Sequence, residues 1–205
     1  MNDLIEFNNG FYWPKSDSIM RKYIYEKDRF NEPSKIVKYC KNTKICLQAG
    51  GNIGIYPIGL SRFFEKVITF EPELLNFECL KLNTENYSNI IKYQAALGDE
   101  KRKISIRLSE NNNCGGHYIG KEILDGEIPM IRIDDLNLED LDLLYLDVEG
   151  FEIQCLNGGI ETIKKYKPII CAEIGWSDCS NFLSNLGYNK IDTIDINGIF
   201  KYSKY

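Results

Sequence analysis

A short apolar run that leads into a cluster of glycines constrains the fold of this chain more than any other stretch. Residues 45–54 read Ile-Cys-Leu-Gln-Ala-Gly-Gly-Asn-Ile-Gly. Glycine permits the positive φ angles of a sharp turn, and it lacks the Cβ that would hold a ligand away from the backbone. The apolar residues that follow have helical spacing, and a helix start directs unpaired N–H groups at whatever lies over the turn. We therefore predict a strand, a ligand-binding turn and a helix that begins near Ile53 or Gly54.

Strand-like and helix-like patterns alternate along the rest of the chain. Further buried strands are expected at residues 67–70, 90–97, 141–150 and 168–174. Alternating polarity at 103–108 and 128–133 predicts a small inserted antiparallel pair. A closing hairpin is expected over 188–202, with its turn at Asn197-Gly198. This order predicts an α/β, Rossmann-like fold whose sheet is mostly parallel and ends in a C-terminal antiparallel hairpin.

The first 44 residues differ in composition from the rest, because aromatic and charged residues dominate them. The spacing of Met20, Tyr23 and Ile24 predicts one or two helices. The aromatic run at residues 11–13 either packs beside the sheet or closes over a substrate as a lid. We therefore divide the chain into an N-terminal helical or lid segment, residues 1–44, and a ligand-binding domain, residues 45–205.

Composition narrows the functional classes. A formal charge of −5 argues against a nucleic-acid partner, since phosphate binding usually needs a basic surface. Apolar runs are too short for a membrane helix, and the N-terminus lacks the pattern of a signal peptide. Seven cysteines without a C-x-x-C motif predict reduced, structural thiols. These features predict a cytoplasmic protein without a nucleic-acid or membrane partner; they leave the oligomeric state open.

Acidic residues follow the predicted strands. Glu71 comes directly after the second strand, Asp147 and Glu149 end the fourth, and Glu173 ends the fifth. Because ligands of an open α/β sheet bind at the carboxyl ends of the strands, we expect these side chains at the site. Glu71 lies about twenty residues after the glycine turn, where a carboxylate can accept hydrogen bonds from ribose hydroxyls. The ligand is therefore predicted to contain a nucleoside.

The glycine spacing and the acids distinguish between two nucleoside ligands. A dinucleotide site has the pattern G-x-G-x-x-G, which residues 50–54 do not match. Several carboxylates would also repel a pyrophosphate, whereas they suit the sulfonium cation of S-adenosylmethionine. The sequence therefore favours a methyl donor, and a nicotinamide-dependent oxidoreductase is the less favoured alternative.

The chain resembles the FkbM-type methyltransferases in a series of motifs. These are Leu-Gln-Ala-Gly-Gly-Asn-Ile-Gly at 47–54, Phe-Glu-Pro at 70–72, Ala-Ala-Leu at 95–97, Arg-Ile-Asp-Asp-Leu at 132–136, Leu-Asp-Val-Glu-Gly-Phe-Glu at 146–152, and the strand from Lys-Pro at 167–168 to Glu173. The resemblance implies a class I methyltransferase fold, S-adenosylmethionine as the donor, and methylation of a hydroxyl on a sugar or other small molecule. Carbohydrate modification is thus the expected process, with a small-molecule or glycan acceptor.

The motifs also assign residues to the donor site. The residues expected to bind the donor are Gln48, Gly50, Asn52, Gly54, Glu71, Pro72, Ala96 and Asp147. Three positions depart from the family pattern, since Gln48, Gly51 and Tyr145 stand where the family usually has Asp, Ala and Lys. A nucleoside-binding domain with impaired catalysis is therefore an alternative to an active enzyme.

Removal of the hydroxyl proton is assigned to His117, Asp147 and Glu149. His117 is the only histidine and lies in a loop rich in Asn and Gly, so it is a candidate general base. Asp147 is a second candidate, with Glu149 beside it on the acceptor side. Asp147 and Glu173 could instead hold a divalent cation, but a site without metal is the favoured interpretation.

Overall fold

The computed structural model describes residues 4–26, 31–120, 122–175 and 178–203. The two predicted segments, 1–44 and 45–205, extend beyond these ranges, and the remainder of each lies outside the described residues. The strands are β1 (Ile5–Asn8), β2 (Phe11–Pro14), β3 (Ile45–Ala49), β4 (Lys66–Phe70), β5 (Ile90–Tyr93), β6 (Ala96–Leu97), β7 (Arg102–Ile104), β8 (Ile128–Ile131), β9 (Leu143–Leu146), β10 (Ile169–Glu173), β11 (Tyr188–Ile194) and β12 (Asn197–Tyr202). The helices are α1 (Met20–Glu26), α2 (Glu32–Val37), α3 (Ile55–Ser61), α4 (Leu74–Asn83), α5 (Glu152–Asn157), α6 (Ile160–Tyr166) and α7 (Cys179–Asn185).

Seven of the described strands form the central sheet, in the order β11-β12-β10-β9-β3-β4-β5. Neighbours from β10 to β5 run parallel, whereas β12 is antiparallel to both β10 and β11. The strand order reverses between β3 and β9, because β4 and β5 continue on one side of β3 while β10 continues beyond β9. The predicted α/β fold, with a mostly parallel sheet and a C-terminal antiparallel hairpin, is confirmed.

Both faces of the central strands are covered, which explains their continuous apolar sequences. Every residue of β3, β9 and β10 is buried. On one face Leu47 belongs to the same apolar cluster as Cys155 and Leu183, which lie on α5 and α7. On the other face Cys46 clusters with Ile58 of α3. Helices on both faces bury alternate side chains of each strand, as is usual for parallel sheets.

Two features of the sheets differ from the prediction. The stretch 90–97 is not one strand, because β5 ends at Tyr93 and β6 joins β8 and β7 in a separate three-stranded sheet. The antiparallel pair β7–β8 was predicted, and β6 adds a parallel neighbour to it. The final hairpin turns at Asp195, whose φ is +53°, rather than at Asn197-Gly198. Asn197 and Gly198 instead pair with β10, opposite Glu173 and Ala172.

The N-terminal segment contains the expected helices α1 and α2, but it begins with an antiparallel hairpin, β1–β2, that the sequence did not predict. The hairpin packs on α4, where Asn83 Nδ2 donates to the carbonyl of Tyr12 at 2.9 Å and Asn83 Oδ1 accepts from its N–H at 2.7 Å. Trp13 is fully buried and shares a cluster with Ile53 and Cys79. The segment is therefore packed against the sheet domain along its first strands.

Most of the cysteine side chains are packed in the interior. All seven cysteines are free thiols, and six of them are buried. Buried thiols of this kind act as small hydrophobic residues. Among the helices that the structure describes, none is long and apolar enough to cross a membrane.

Candidate active site

A cleft lies at the carboxyl ends of β3, β4 and β9, where the strand order reverses. Ligands of open α/β sheets bind at such points. The cleft has a volume of about 380 Å³, within the range of about 300–1,000 Å³ typical of small-molecule sites. The predicted site residues that line it are Gly50, Asn52, Glu71, Pro72, Ala96, His117, Asp147 and Glu149.

Gly50 brings the glycine turn close to the end of β9. Its φ is +84°, and a Cβ at this position would lie 1.9 Å from the backbone oxygen of Asp147. The N–H groups of Gly50 and Gly51 both donate to the Phe70 carbonyl, at 3.0 and 2.9 Å. The turn is thereby fixed against β4 on one side and β9 on the other.

Gly54 serves the packing of helices rather than the cleft. It has a φ of +105° and precedes α3, and a Cβ there would lie 3.1 Å from Leu80 and 3.2 Å from Thr84. Both neighbours belong to α4 or its end. The predicted donor-binding role of Gly54 therefore becomes an indirect one, since this glycine lets α4 approach the turn.

Glu71 is held beneath the glycine turn by two backbone N–H groups. Its Oε2 accepts from Asn52 at 2.7 Å and its Oε1 accepts from Glu73 at 2.8 Å. Burial raises the pKa of Glu71 to about 7, although these two hydrogen bonds favour the ionised form. Glu71 therefore exchanges its proton near neutral pH at the wall of the cleft.

Gln48 lies under the turn and does not reach the cleft. The side chain is fully buried, its Nε2 donates to the carbonyl of Gly50 at 2.7 Å, and its Oε1 accepts from the hydroxyl of Thr69. Gln48 is therefore not among the described residues that line the cleft, and its predicted contact with the donor stays a prediction. Residues of a buried strand alternate between faces, so the residue after Gln48, Ala49, points to the other side and lines the cleft.

The backbone of Cys114 connects the loop 109–117 with the glycine turn, a link that the sequence did not reveal. The carbonyl of Cys114 accepts from Asn52 Nδ2 at 3.0 Å and from Asn76 Nδ2 at 2.7 Å, and its N–H donates to Asp17 at 3.1 Å. Burial raises the pKa of the Cys114 thiol far above its usual range, so this thiol is not a nucleophile. Asp17 and Asn76 carry no sequence signal beyond their polarity.

His117 lines the cleft, and its hydrogen bond favours a role as hydrogen-bond donor over the predicted role as general base. Its Nδ1 accepts from the N–H of Ser109 at 3.0 Å, and burial lowers its pKa. A neutral imidazole whose Nδ1 is an acceptor carries its proton on Nε2. His117 is therefore arranged to donate a hydrogen bond from Nε2 rather than to accept a proton there.

Asp147, Glu149 and Glu173 form an acid cluster, in which one ligand oxygen of each lies within 4.8 Å of the others. Glu149 has a φ of +51°. The turn that contains it is held by Glu152, whose Oε1 accepts from Val148 at 3.3 Å and from Gly150 at 3.2 Å. Burial, followed by the charges of Asp147 and Glu173, raises the pKa of Glu149 to about 8. The cluster therefore holds a proton at neutral pH.

No Lys or Arg occurs among the described residues that line the cleft. The carboxylates of Glu71, Asp147 and Glu149 make it an anionic site. Its apolar surface comes mainly from Phe70, Ala95–Leu97, Phe151 and helix α1. Such a cleft suits a flat heterocycle attached to a cationic group and disfavours a phosphate ligand.

The N-terminal segment contributes to the cleft through α1 and not through its aromatic run. Ile19, Met20, Tyr23 and Ile24 line the cleft. Phe11, Tyr12 and Trp13 do not, because β2 packs on α4. Of the two interpretations of the aromatic run, packing beside the sheet domain is the one that agrees with these contacts.

Residues 49–189 match the model of one protein family, described as the Methyltransferase FkbM domain. The matched region contains the glycine turn after Ala49, Glu71, the loop with His117, and the acid cluster. No curated protein matches the chain significantly.

Solved methyltransferase structures share the fold. An FkbM methyltransferase from Methylobacillus flagellatus KT superposes with a TM-score of 0.57 at 19% identity, over 78% of this chain and 44% of its own. The chain thus spans less than half of that protein's length. A precorrin-6y C5,15-methyltransferase from Geobacter metallireducens GS-15 gives 0.52 at 11% identity over 96% of each chain. A TehB-like SAM-dependent methyltransferase from Corynebacterium glutamicum ATCC 13032 gives 0.50 at 12% identity, over 90% of this chain and 94% of its own.

Proposed function

This chain belongs to the FkbM methyltransferase family, and we propose that it transfers the methyl group of S-adenosylmethionine to a hydroxyl group of a small molecule. The observation that carries the choice of donor is the charge of the cleft. Its described lining contains the carboxylates of Glu71, Asp147 and Glu149 and no basic side chain. A sulfonium and an ammonium are stabilised by such a site, whereas a pyrophosphate is repelled. This charge distribution also disfavours the nicotinamide-dependent oxidoreductase.

The end of the cleft that contains the glycine turn and Glu71, called the glycine end, fits the nucleoside part of the donor. Glu71 presents its carboxylate at the cleft and has lone pairs left for ribose hydroxyls after accepting two N–H bonds. Asn76 also lines the cleft, and its Oδ1 is buried without a hydrogen-bond partner among the described residues. Buried polar atoms of this kind usually have a partner. A donor N–H or O–H group would supply one.

The acid cluster fits the transfer step, in which the acceptor hydroxyl takes the methyl group and loses its proton. The sulfonium supplies an electrophilic methyl carbon: the acceptor oxygen forms a bond to it, the carbon–sulfur bond breaks, and S-adenosylhomocysteine leaves. The hydroxyl proton passes to the carboxylate of Asp147, which lines the cleft. A positioned carboxylate that accepts the proton in the transition state typically contributes about 10²–10⁴-fold to the rate. Nε2–H of His117 is available to orient the acceptor oxygen.

Two of the three departures from the family pattern, Gln48 and Tyr145, lie outside the cleft, which supports an active enzyme over an impaired one. The third, Gly51, lines the cleft, but the alanine usual in the family carries no reacting group there either. Gln48 holds the glycine turn from below. Tyr145 is fully buried and packs on Tyr56, with their ring centroids 5.2 Å apart. Neither side chain is placed to touch the donor or the acceptor, so their substitution removes no reacting group.

The acceptor is proposed to be a sugar or another small hydroxylated molecule. Tyr23 and Tyr118 both line the cleft, and Tyr118 is 41% exposed. Exposed tyrosine rings at a cleft suit stacking on the apolar face of a sugar. Screening glycans and nucleotide sugars for a donor-dependent gain of one methyl mass tests this class. Methylation of proteins or nucleic acids alone would contradict it.

Calorimetric titration of S-adenosylmethionine and of NAD tests the choice of donor. We expect a dissociation constant on the order of micromolar for S-adenosylmethionine and no measurable binding of NAD. Replacement Glu71→Gln should weaken donor binding about 10–100-fold, the worth of a hydrogen bond to a charged group. The exposed Glu85→Gln is the matched control. Preferential NAD binding would refute S-adenosylmethionine as the donor. Unchanged donor affinity in Glu71→Gln would refute the contact between Glu71 and the ribose.

A further inference from the structure

Asn197 is a buried polar residue whose side-chain oxygen is unsatisfied. It is 3% exposed, and its Oδ1 has no hydrogen-bond partner among the described residues. Asn197 begins β12 and lines the cleft. Native proteins rarely leave such an atom unpaired unless a ligand, ion or water completes it.

The sheet register places Asn197 beside the acid cluster. Asn197 lies directly opposite Glu173 in the antiparallel pair β10–β12. The N–H of Ile174 donates to the carbonyl of Ile196 at 3.1 Å, which makes Glu173 and Asn197 a non-hydrogen-bonded pair. Side chains of such a pair share one face and approach more closely than those of a hydrogen-bonded pair. The side chain of Asn197 is therefore the cross-strand neighbour of the Glu173 side chain.

We propose that Asp147, Glu149, Glu173 and Oδ1 of Asn197 bind one divalent cation at the end of the cleft opposite Glu71. Carboxylate and amide oxygens are the ligands that Mg²⁺ and Ca²⁺ prefer. The sequence had favoured a site without metal, on the basis of two acids; the structure adds Glu149 to the cluster and Asn197 beside it.

The spacing of the carboxylates is suitable for such an ion. Two ligands of one ion are separated by at most twice the metal–oxygen distance, about 4.2 Å for Mg²⁺ and about 5 Å for Ca²⁺. One oxygen from each carboxylate already lies within 4.8 Å of the others. The spacing is therefore close to that of a Ca²⁺ site, and Mg²⁺ requires a larger contraction of the side chains.

The role of the ion in binding and activating the acceptor rests on the proposed methyl transfer. Four protein oxygens leave about two positions of a six-coordinate ion open. An acceptor with two neighbouring oxygens, such as a vicinal diol or a hydroxy acid, would occupy both. The bound ion would lower the pKa of the coordinated hydroxyl, so its proton would leave more readily. The proposed substrate class is therefore a chelating hydroxyl compound.

Metal titration of the chelator-treated protein tests the site without donor or acceptor. Calorimetry with Ca²⁺ and with Mg²⁺ should show one bound ion for at least one of them, and that ion should raise the unfolding temperature. Glu173→Gln should weaken binding by at least about tenfold, because ligand charge sets affinity in such sites. If the Glu173→Gln variant fails to fold, Asp147→Asn is the second variant for the same measurement. Glu65→Gln, at the opposite end of the sheet, should bind like the wild type.

Asn197 variants separate ligation from packing. Asn197→Ala removes the oxygen and should weaken metal binding, whereas Asn197→Asp keeps an oxygen and should bind at least as tightly as the wild type. Equal loss in both variants would show a structural role and would exclude Asn197 as a ligand. The weakest protein calcium sites bind at about millimolar concentration. Absence of binding of either ion at that concentration would refute the proposed cation site. Metal binding without donor binding would instead contradict the methyl-transfer proposal alone.

Discussion

At the glycine end of the cleft the charged group is satisfied by the protein, whereas at the opposite end charged groups crowd together. Glu71 accepts two backbone N–H bonds at 2.7 and 2.8 Å, and the turn above it is tied to β4. Asp147, Glu149 and Glu173 bring their oxygens within 4.8 Å of one another, beside the unsatisfied Oδ1 of Asn197. The first end is a preformed cradle, and the second places three acidic side chains close together.

This difference indicates which end binds the donor and which end acts on the acceptor. A cradle held by backbone hydrogen bonds keeps its shape without a ligand, which favours binding of an invariant donor. Crowded carboxylates respond to protons and cations, which favours chemistry at the acceptor. The two ends meet where Gly50 lies against the backbone of Asp147. Variants on either side of this contact show whether the ends act separately.

Asp147→Asn is expected to have the largest effect, and only on chemistry. Loss of the base should slow methyl transfer by about 10²–10⁴-fold. Donor affinity should fall by no more than about tenfold, because the ribose cradle at Glu71 is untouched. Single-turnover rates and calorimetry measure the two quantities. A variant that transfers methyl groups at the wild-type rate would remove Asp147 from the mechanism.

Gly50→Ala is expected to damage both ends at once. Its Cβ would lie 1.9 Å from the Asp147 oxygen, and its φ of +84° is unfavourable for alanine. We expect unfolding to become easier by more than about 3 kcal/mol, since backbone strain and a clash combine. Gly10→Ala is the matched control, because φ is +87° there and nothing lies within 4 Å of the added Cβ. Equal losses in denaturant unfolding would mean that the contact with Asp147 is unimportant.

The pH dependence of donor binding is expected to follow Glu71. Burial raises its pKa to about 7 from 4.5, and the ionised form accepts ribose hydrogen bonds better, so donor affinity should increase as pH rises through about 7. Glu71→Gln should abolish this dependence in calorimetric titrations. A flat profile in the wild type would contradict the assignment.

Folding stability should change in the opposite direction. A raised pKa means that the folded state holds the proton more tightly than the unfolded state. The stabilisation by protonated Glu71 is therefore fully present below about pH 4.5 and is lost as pH rises through about 7, by about 3 kcal/mol. Denaturant unfolding of the wild type and of Glu71→Gln isolates this contribution from that of Glu149.

His117→Ala is expected to have the smallest effect. Its Nδ1 accepts from Ser109, so the ring orients the acceptor without removing its proton. Methyl transfer should slow by less than about tenfold, the worth of one hydrogen bond, with donor affinity unchanged. A loss of about 10²–10⁴-fold would instead be the loss expected for a general base.

The sequence predicted the parts of this cleft that depend on local pattern. Buried strands, the glycine turn and the acids that follow the strands are visible because strand ends meet at one edge of a parallel sheet. The neighbours of these residues depend on tertiary contacts. Gln48 turned away because its strand is buried on both faces, and the pairing of Asn197 with Glu173 depends on a hairpin that turns at Asp195. The tautomer of His117 follows from a single N–H group in its own loop.

A crystal structure of the protein with bound S-adenosylmethionine tests the division of the cleft most directly. We expect ribose hydroxyls within hydrogen-bond distance of the Glu71 carboxylate, and a methyl group that faces Asp147 and Glu149. A nucleoside bound outside this cleft, or a donor in the reverse orientation with its sulfonium nearest to Glu71, would contradict it.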